Sequence, residues 1–278
     1  MSGTGRDVKR AGSSLWLADD TRAEEHIGDR DLAHWSTVAG RGLVHLVMRV
    51  SARVSAHAVL YLTLLLGLGC VVGFTAAGAA VYDAVAEKDG ISQLDQPALN
   101  LAIAQRTAAN TEVATVFTHL GGPVGMPIIA ALITAGMVWR WRSRTPLVLM
   151  VLATAGSLLM TNVGKAVVGR PRPPLTEAVP PYEYAFSFPS GHTLNSTVIA
   201  GVVAYLLLRR MKTTWARVIT VAIAVVWPLS MGLSRVFLGH HWLTDVIFGW
   251  LAGTAWVGLI VTAHRLFLTI RRARRPAS

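Results

Sequence analysis

PSGHTLNSTVIAGVVAYLLL, residues 189–208, decides the fold. From about Gly191 to Leu208 it is an apolar run of the kind that crosses a bilayer, for which about 20 residues suffice. Its leading end is polar instead. Ser190 suits the N-cap of a helix, Gly191 lets a ligand approach the backbone, and His192 stands one residue further in. A helix start of this kind presents free amides and a positive dipole end, which together favour an anion.

Outward from that run, five further apolar stretches appear. They cover about His57–Tyr82, Gly122–Trp139, Pro146–Val168, Trp215–Arg235 and Trp242–Ala263. The 278 residues are 53% hydrophobic and 15% charged, against about 25% charged in ordinary soluble domains. These features predict an all-α integral membrane bundle of six transmembrane helices.

The net charge of +11 is compatible with nucleic-acid binding or with membrane topology, and its distribution separates the two. Basic residues collect in the loops Arg140, Arg142, Arg144 and Arg209, Arg210, Lys212, Arg217, and at the C-terminus as Arg271, Arg272, Arg274 and Arg275. With six alternating spans these all fall on one side, together with the basic N-terminal segment. That side is expected to be cytoplasmic, with both termini on it. No basic stripe with interleaved aromatics points to nucleic acid.

Residues 1 to about 30 read as a polar tail without a cleavable signal. From about 32 to 54, Leu43, Leu46, Val47, Val50 and Val54 recur at helical spacing with Arg41, Arg49 and Arg53 on other faces. This is a basic amphipathic helix for an anionic membrane surface, or a cytosolic extension of the first span. The expected division is therefore 1–55 as cytoplasmic tail and amphipathic segment, 56–265 as membrane domain, and 266–278 as basic tail. The stretch from Asp83 to Asn110 is too polar to span, and Asp95-Gln96-Pro97 could cap and start a short helix there. Cys70 is the single cysteine, which excludes a disulfide framework and a cysteine-based zinc site.

Three segments at the non-cytoplasmic ends of the spans hold the reactive side chains: Lys165 to Pro173, Pro189 to His192, and Ser234-Arg235 with His241 and Asp245. Lys165, Arg172 and Arg235 would repel one another at the edge of hydrocarbon unless an anion lay between them. The planar fork of Arg and the point charge of Lys suit phosphate. Ser190 and Gly191 add a helix start to the same cradle; the competing reading of Ser190 as nucleophile lacks a Gly-x-Ser-x-Gly context. His241 and Asp245 are spaced to share a helix face, so the carboxylate would hold one ring nitrogen and leave the other free to attack. His240 points about 100° away. A divalent metal among so many cations is disfavoured, and no metal or other cofactor is expected.

Lys-x6-Arg-Pro at Lys165, Arg172 and Pro173, Pro-Ser-Gly-His at 189–192, and Ser-Arg-x5-His-x3-Asp at Ser234, Arg235, His241 and Asp245 resemble the three signatures of the type 2 phosphatidic acid phosphatase superfamily. The similarity covers about residues 57 to 265 and omits the N-terminal 55. It implies a metal-independent phosphatase in which His241 is the nucleophile, Asp245 orients it, and His192 is acid and then base. It implies that Lys165, Arg172, Ser190, Gly191 and Arg235 hold the phosphoryl group. The expected substrate is a membrane lipid phosphate of phosphatidate or phosphatidylglycerophosphate type, reached from the non-cytoplasmic face of a bacterial plasma membrane. The alternatives are an undecaprenyl diphosphate phosphatase and, in another class, a lipid or anion transporter.

Overall fold

The structure is a computed structural model that describes residues 26–27, 30–32, 34–53, 73 and 90–273. The expected first span at about 57–82, Cys70, and most of the N-terminal tail lie outside the described residues. Helices make the architecture. The described exception is a two-residue antiparallel ladder, β1 (His26–Ile27) with β2 (Arg30–Asp31), registered His26 to Asp31.

Helix α1 spans Val38–Arg53, within the expected amphipathic segment. A 3-10 turn at Gly90–Leu94 leads into α2 (Asp95–Ala104). Then come α3 (Ala108–Leu120), α4 (Gly125–Trp141), α5 (Thr145–Val168), α6 (Gly191–Leu208), α7 (Thr214–Phe237) and α8 (Leu243–Ala273). Among the described residues, α5, α6, α7 and α8 are each long and apolar enough to cross a membrane. The pair α3 and α4 makes a fifth span if counted as one, bent by 52°. The chain is thus a multi-pass membrane protein.

Local chemistry sets the helix ends. Thr107 caps α3 by accepting from Asn110 N, and the Asn110 side chain answers with a bond from Thr107 N. Pro146 occupies the first turn of α5, where its missing N–H costs nothing. Gly169 closes α5 in the left-handed conformation at φ 60°, with its N–H on Lys165 O at 3.1 Å. Between α3 and α4, Gly121, Gly122 and Pro123 break the helix. A Cβ on Gly121 would fall 2.4 Å from Met231 Sδ, so the break lets the chain press against α7. The second apolar stretch, expected at about 122–139, corresponds to α4, the second half of that bent span.

Helix α6 is the hub, packed against α5, α7 and α8. Leu194, Val198 and Val202 on it are buried with Met150 and Ala153 of α5 and Ala252 of α8. The contact with α8 is unusually close because Gly249 and Gly253 face Thr193 and Thr197: a Cβ on Gly253 would sit 2.8 Å from the Thr197 Cβ. Small residues one turn apart let membrane helices approach in this way. The outer faces carry exposed Val218, Ile223, Val226 and Leu233 of α7, an apolar surface suited to lipid. Helix α8 continues beyond Ala263 to Ala273.

The antiparallel alternation brings four helix ends together: the C-termini of α5 and α7 and the N-termini of α6 and α8. The loop of residues 169–190, with cis peptides at Pro180–Pro181 and Phe188–Pro189, folds over that end. It is fastened by Ser187 N to Arg170 O at 2.8 Å and Val179 N to Leu238 O at 2.9 Å.

Candidate active site

At this end of the bundle lie all eight residues singled out from the sequence, on α5, α6, α7, α8 and the two connecting segments. His241 is wholly buried, two residues ahead of α8. Its pairing with Asp245 therefore crosses the helix entry instead of running along a helix face. His241 Nδ1 stands 3.5 Å from Asp245 Oδ2, a long contact, with Ser187 Oγ 3.4 Å from the same nitrogen and bonded to the same carboxylate oxygen. Trp242 N also donates to Asp245 Oδ2, at 3.0 Å. The other ring nitrogen, Nε2, lies 3.1 Å from Arg172 Nη1. With the ring proton on Nδ1, the Nε2 lone pair faces the cationic side of the site.

That side is built from three elements. Arg172, on the loop, donates through Nε to Ala185 O at 2.6 Å and through Nη1 to His240 O at 2.5 Å, and pairs with Glu183 at 2.8 Å. Arg235, in the last turn of α7 and 1% exposed, donates to Thr118 Oγ1 at 3.0 Å and pairs with the other oxygen of Glu183. Lys165, in the last turn of α5, donates to Phe186 O. One carboxylate thus bridges two guanidinium groups, as two oxygens of a phosphate would. Burial alone would raise the Glu183 carboxyl, but Arg235 and Arg172 outweigh it and hold it at about 2. Burial, then Arg172 and Arg235, push His241 well below its ordinary range, which favours the neutral ring.

His192, in the first turn of α6, lies opposite the α3–α4 break: a Cβ on Gly122 would come 3.5 Å from its Nε2. Ser190 holds the N-cap position, yet its hydroxyl accepts from Thr193 Oγ1 at 2.9 Å instead of capping the helix, and it is fully buried. Gly191 opens α6 against Thr161. The neighbouring His240 ring turns to Val179 O, 2.7 Å from Nε2.

Four participants escaped the sequence reading. Glu183 bridges the two arginines, and Ser187 bonds the Asp245 carboxylate. Arg170 donates to Asp245 Oδ1 at 2.7 Å and to Asp95 Oδ2 at 2.6 Å. Asp95 does not cap its own helix, as its place before Gln96-Pro97 suggests; Leu94 holds that N-cap position. Arg235 pairs with Glu183, and the ion pair of Asp245 is with Arg170.

Residues 146–268 match the PAP2 superfamily profile. Phosphatidylglycerophosphatase B of Bacillus subtilis (strain 168) is 32% identical over 174 residues, covering 62% of this chain and 84% of that protein. Undecaprenyl-diphosphatase of Sulfolobus acidocaldarius is 33% identical over 132 residues, 46% of this chain and 59% of that one. The crystal structure of the transmembrane PAP2-type phosphatidylglycerolphosphate phosphatase from Bacillus subtilis superposes with a TM-score of 0.59 at 26% identity, over 76% of this chain and 98% of that one. With the three signatures gathered at one end of a helical membrane bundle, the chain belongs to the PAP2 superfamily and is a membrane phosphatase.

Proposed function

We propose that the protein hydrolyses a phosphate ester of a membrane phospholipid through a phosphohistidine on His241. The observation that carries this is the pairing of His241 Nε2 with Arg172 on one side and of Nδ1 with Asp245 and Ser187 on the other. A neutral imidazole whose unprotonated Nε2 faces a cation cradle can attack a bound phosphoryl group once Arg172 turns from that nitrogen to the phosphoryl oxygens.

In the transfer step His241 Nε2 bonds to phosphorus and the bond from phosphorus to the lipid oxygen breaks. His192 gives its proton to that departing oxygen. Asp245 supports the positive charge that develops on the imidazole. Lys165, Arg172 and Arg235, with the α6 start at Ser190 and Gly191, hold the phosphoryl oxygens once Glu183 yields its place. His192 then takes a proton from water, the hydroxide attacks phosphorus, and the N–P bond breaks to release phosphate and restore His241. No metal enters these steps, since the cradle supplies the positive charge.

Six spans, counting about 57–82 as the first, would put both termini on one side. Arg140, Arg142, Arg144, Arg209, Arg210, Lys212, Arg271 and Arg272 cluster at the end opposite the site. The positive-inside rule makes that end cytoplasmic and turns the site outward, at the plasma membrane of a bacterium. An apolar groove of about 690 Å³ between α2, α3 and α7, lined by Leu101, Val113, Phe117 and Leu233, suits a lipid environment at that level.

The name and coverage of the Bacillus relative favour a phosphatidylglycerophosphate-type substrate. The Sulfolobus relative supports undecaprenyl diphosphate as the second reading. Phosphate release from phosphatidylglycerophosphate, phosphatidate and undecaprenyl diphosphate, in detergent with a chelator, separates them. Fastest turnover of the first is expected; fastest turnover of the diphosphate reverses the order, and none on any lipid removes the reading.

A further inference from the structure

Asp95 belongs to none of the three signatures, yet it is 5% exposed and fully engaged. Its Oδ2 accepts from Arg170 Nη2 at 2.6 Å and from Thr244 Oγ1 at 2.8 Å, and its Oδ1 from Thr244 N at 2.9 Å. The Thr244 hydroxyl in turn accepts from Arg170 Nη1 at 2.7 Å, and the same Nη1 lies 2.7 Å from Asp245 Oδ1. Asp95, Thr244 and Arg170 therefore close a ring of hydrogen bonds whose free side is Asp245.

We propose that Asp95 is a positioning residue for phosphoryl transfer: by clamping Arg170 and the first turn of α8, it keeps the Asp245 carboxylate aimed at His241. The proposal rests on the reading of His241 as nucleophile and Asp245 as its partner.

The geometry supports a role beyond anchoring α2. A guanidinium is a rigid planar fork, so fixing Nη2 on Asp95 fixes the direction of Nη1. Nη1 occupies Oδ1 of Asp245, which sets the carboxylate plane and leaves Oδ2 for Ser187, Trp242 N and His241 Nδ1. At 3.5 Å the last of these is the weakest contact in the set, so a small rotation of the carboxylate would lose it. Helix α8 also begins there, and Asp95 satisfies the Thr244 N–H, one of the amides without an intrahelical partner. An anion at a helix start is favoured by the dipole as well.

Charge adds a second effect. Without Asp95, the Arg170 cation would bear on Asp245 alone. That would weaken the carboxylate as support for the positive imidazole formed when His241 takes phosphorus. Asp95 takes half of the guanidinium and leaves Asp245 its anionic character.

The test uses the full-length protein in detergent and compares Asp95→Asn, Arg170→Gln and the double variant. Asp95→Asn is expected to lower kcat at least about tenfold with KM within about twofold, because the positive charge that Asp245 supports on His241 develops only in the transition state. In the Arg170→Gln background it is expected to cost nothing further, because the effect runs through Arg170. Lower thermal stability with kcat unchanged would mean Asp95 only caps α8 and would overturn the proposal; so would equal losses in both backgrounds. If Asp95→Asn does not yield folded protein, Thr244→Ala, which opens the ring without removing a charge, carries the test. A kcat loss in that variant supports the proposal and an unchanged kcat overturns it. His241→Ala is run in parallel: activity retained there removes the nucleophile reading, independently of what Asp95 does.

Discussion

Arg172 Nη2 and Glu183 Oε2 lie 2.8 Å apart, and the second oxygen of the same carboxylate pairs with Arg235. In this state the cradle already holds an anion from the chain itself. That resolves the repulsion of clustered cations at the edge of hydrocarbon without any ligand. On the proposed function, a phosphate entering the cradle displaces Glu183 or moves it aside.

Removing that internal competitor is expected to tighten phosphate binding. In Glu183→Gln the inhibition constant for inorganic phosphate should fall by about tenfold, the scale of one partly buried ion pair made or lost. Inhibition of lipid turnover by added phosphate measures it. An unchanged or weaker phosphate affinity would show that the carboxylate does not occupy the phosphate position.

The same residue carries a pH signature. Its carboxyl is held at about 2 in the fold, against an ordinary 4.5. Its pairing therefore contributes stability that is present above pH 4.5 and lost as pH falls toward 2. The gap in thermal stability between the native protein and Glu183→Gln should shrink across that window, as followed by thermal unfolding in detergent. A gap that widens on acidification would contradict the assignment.

The proposed nucleophile has its own pH dependence. Burial, Arg172, Arg235 and Lys165 depress His241, whereas Glu183 opposes them. Its titration, read as the acid limb of kcat/KM, should therefore lie below the histidine reference of about 6.5. Arg172→Gln removes a depressing cation, so the limb should move upward. The same variant should lose about 10²-fold in rate, the usual cost of one donor to a developing oxyanion. A limb that moves down instead would separate Arg172 from His241.

Close approach of α6 and α8 is what brings His192 and Asp245 to one place, and it depends on small residues. At Gly253 an added Cβ would meet the Thr197 Cβ at 2.8 Å, whereas at Gly258, further along the same helix, nothing lies within 4 Å. Gly253→Val should cost about 1–3 kcal/mol through overpacking and reduce activity with it. Gly258→Ala should leave thermal stability and turnover unchanged. Equal behaviour of the two would mean the helix contact does not position the site.

Much of the site was legible in the sequence because chemistry and topology coincide there. The apolar stretches fix where helices end, and Lys165, His192, Arg235 and Asp245 sit within a turn of such ends. The fourth stretch, Gly191–Leu208, is the helix α6 itself. The bend of the second span was not legible as a bend, because Gly121 breaks toward Met231, a contact made only in the fold. Arg170 stood in plain view beside Arg172, but which of the two faces His241 depends on the path of the loop. Asp95 and Glu183 carry no periodic or spacing signal; their roles come from residues 75 and 52 positions away. His241 and Asp245 were paired by a helical step, whereas the helix starts only at Leu243 and the pairing survives because the Asp245 side chain reaches back to Trp242 N.

The most direct test of the account is to trap the covalent intermediate. Protein mixed with radiolabelled lipid phosphate is quenched in alkali, digested, and its phosphopeptide sequenced. The account predicts an acid-labile, base-stable phosphate on His241, retained longer in His192→Ala and absent in His241→Ala, which should be inactive. Label on another residue, or full turnover by His241→Ala, would contradict it.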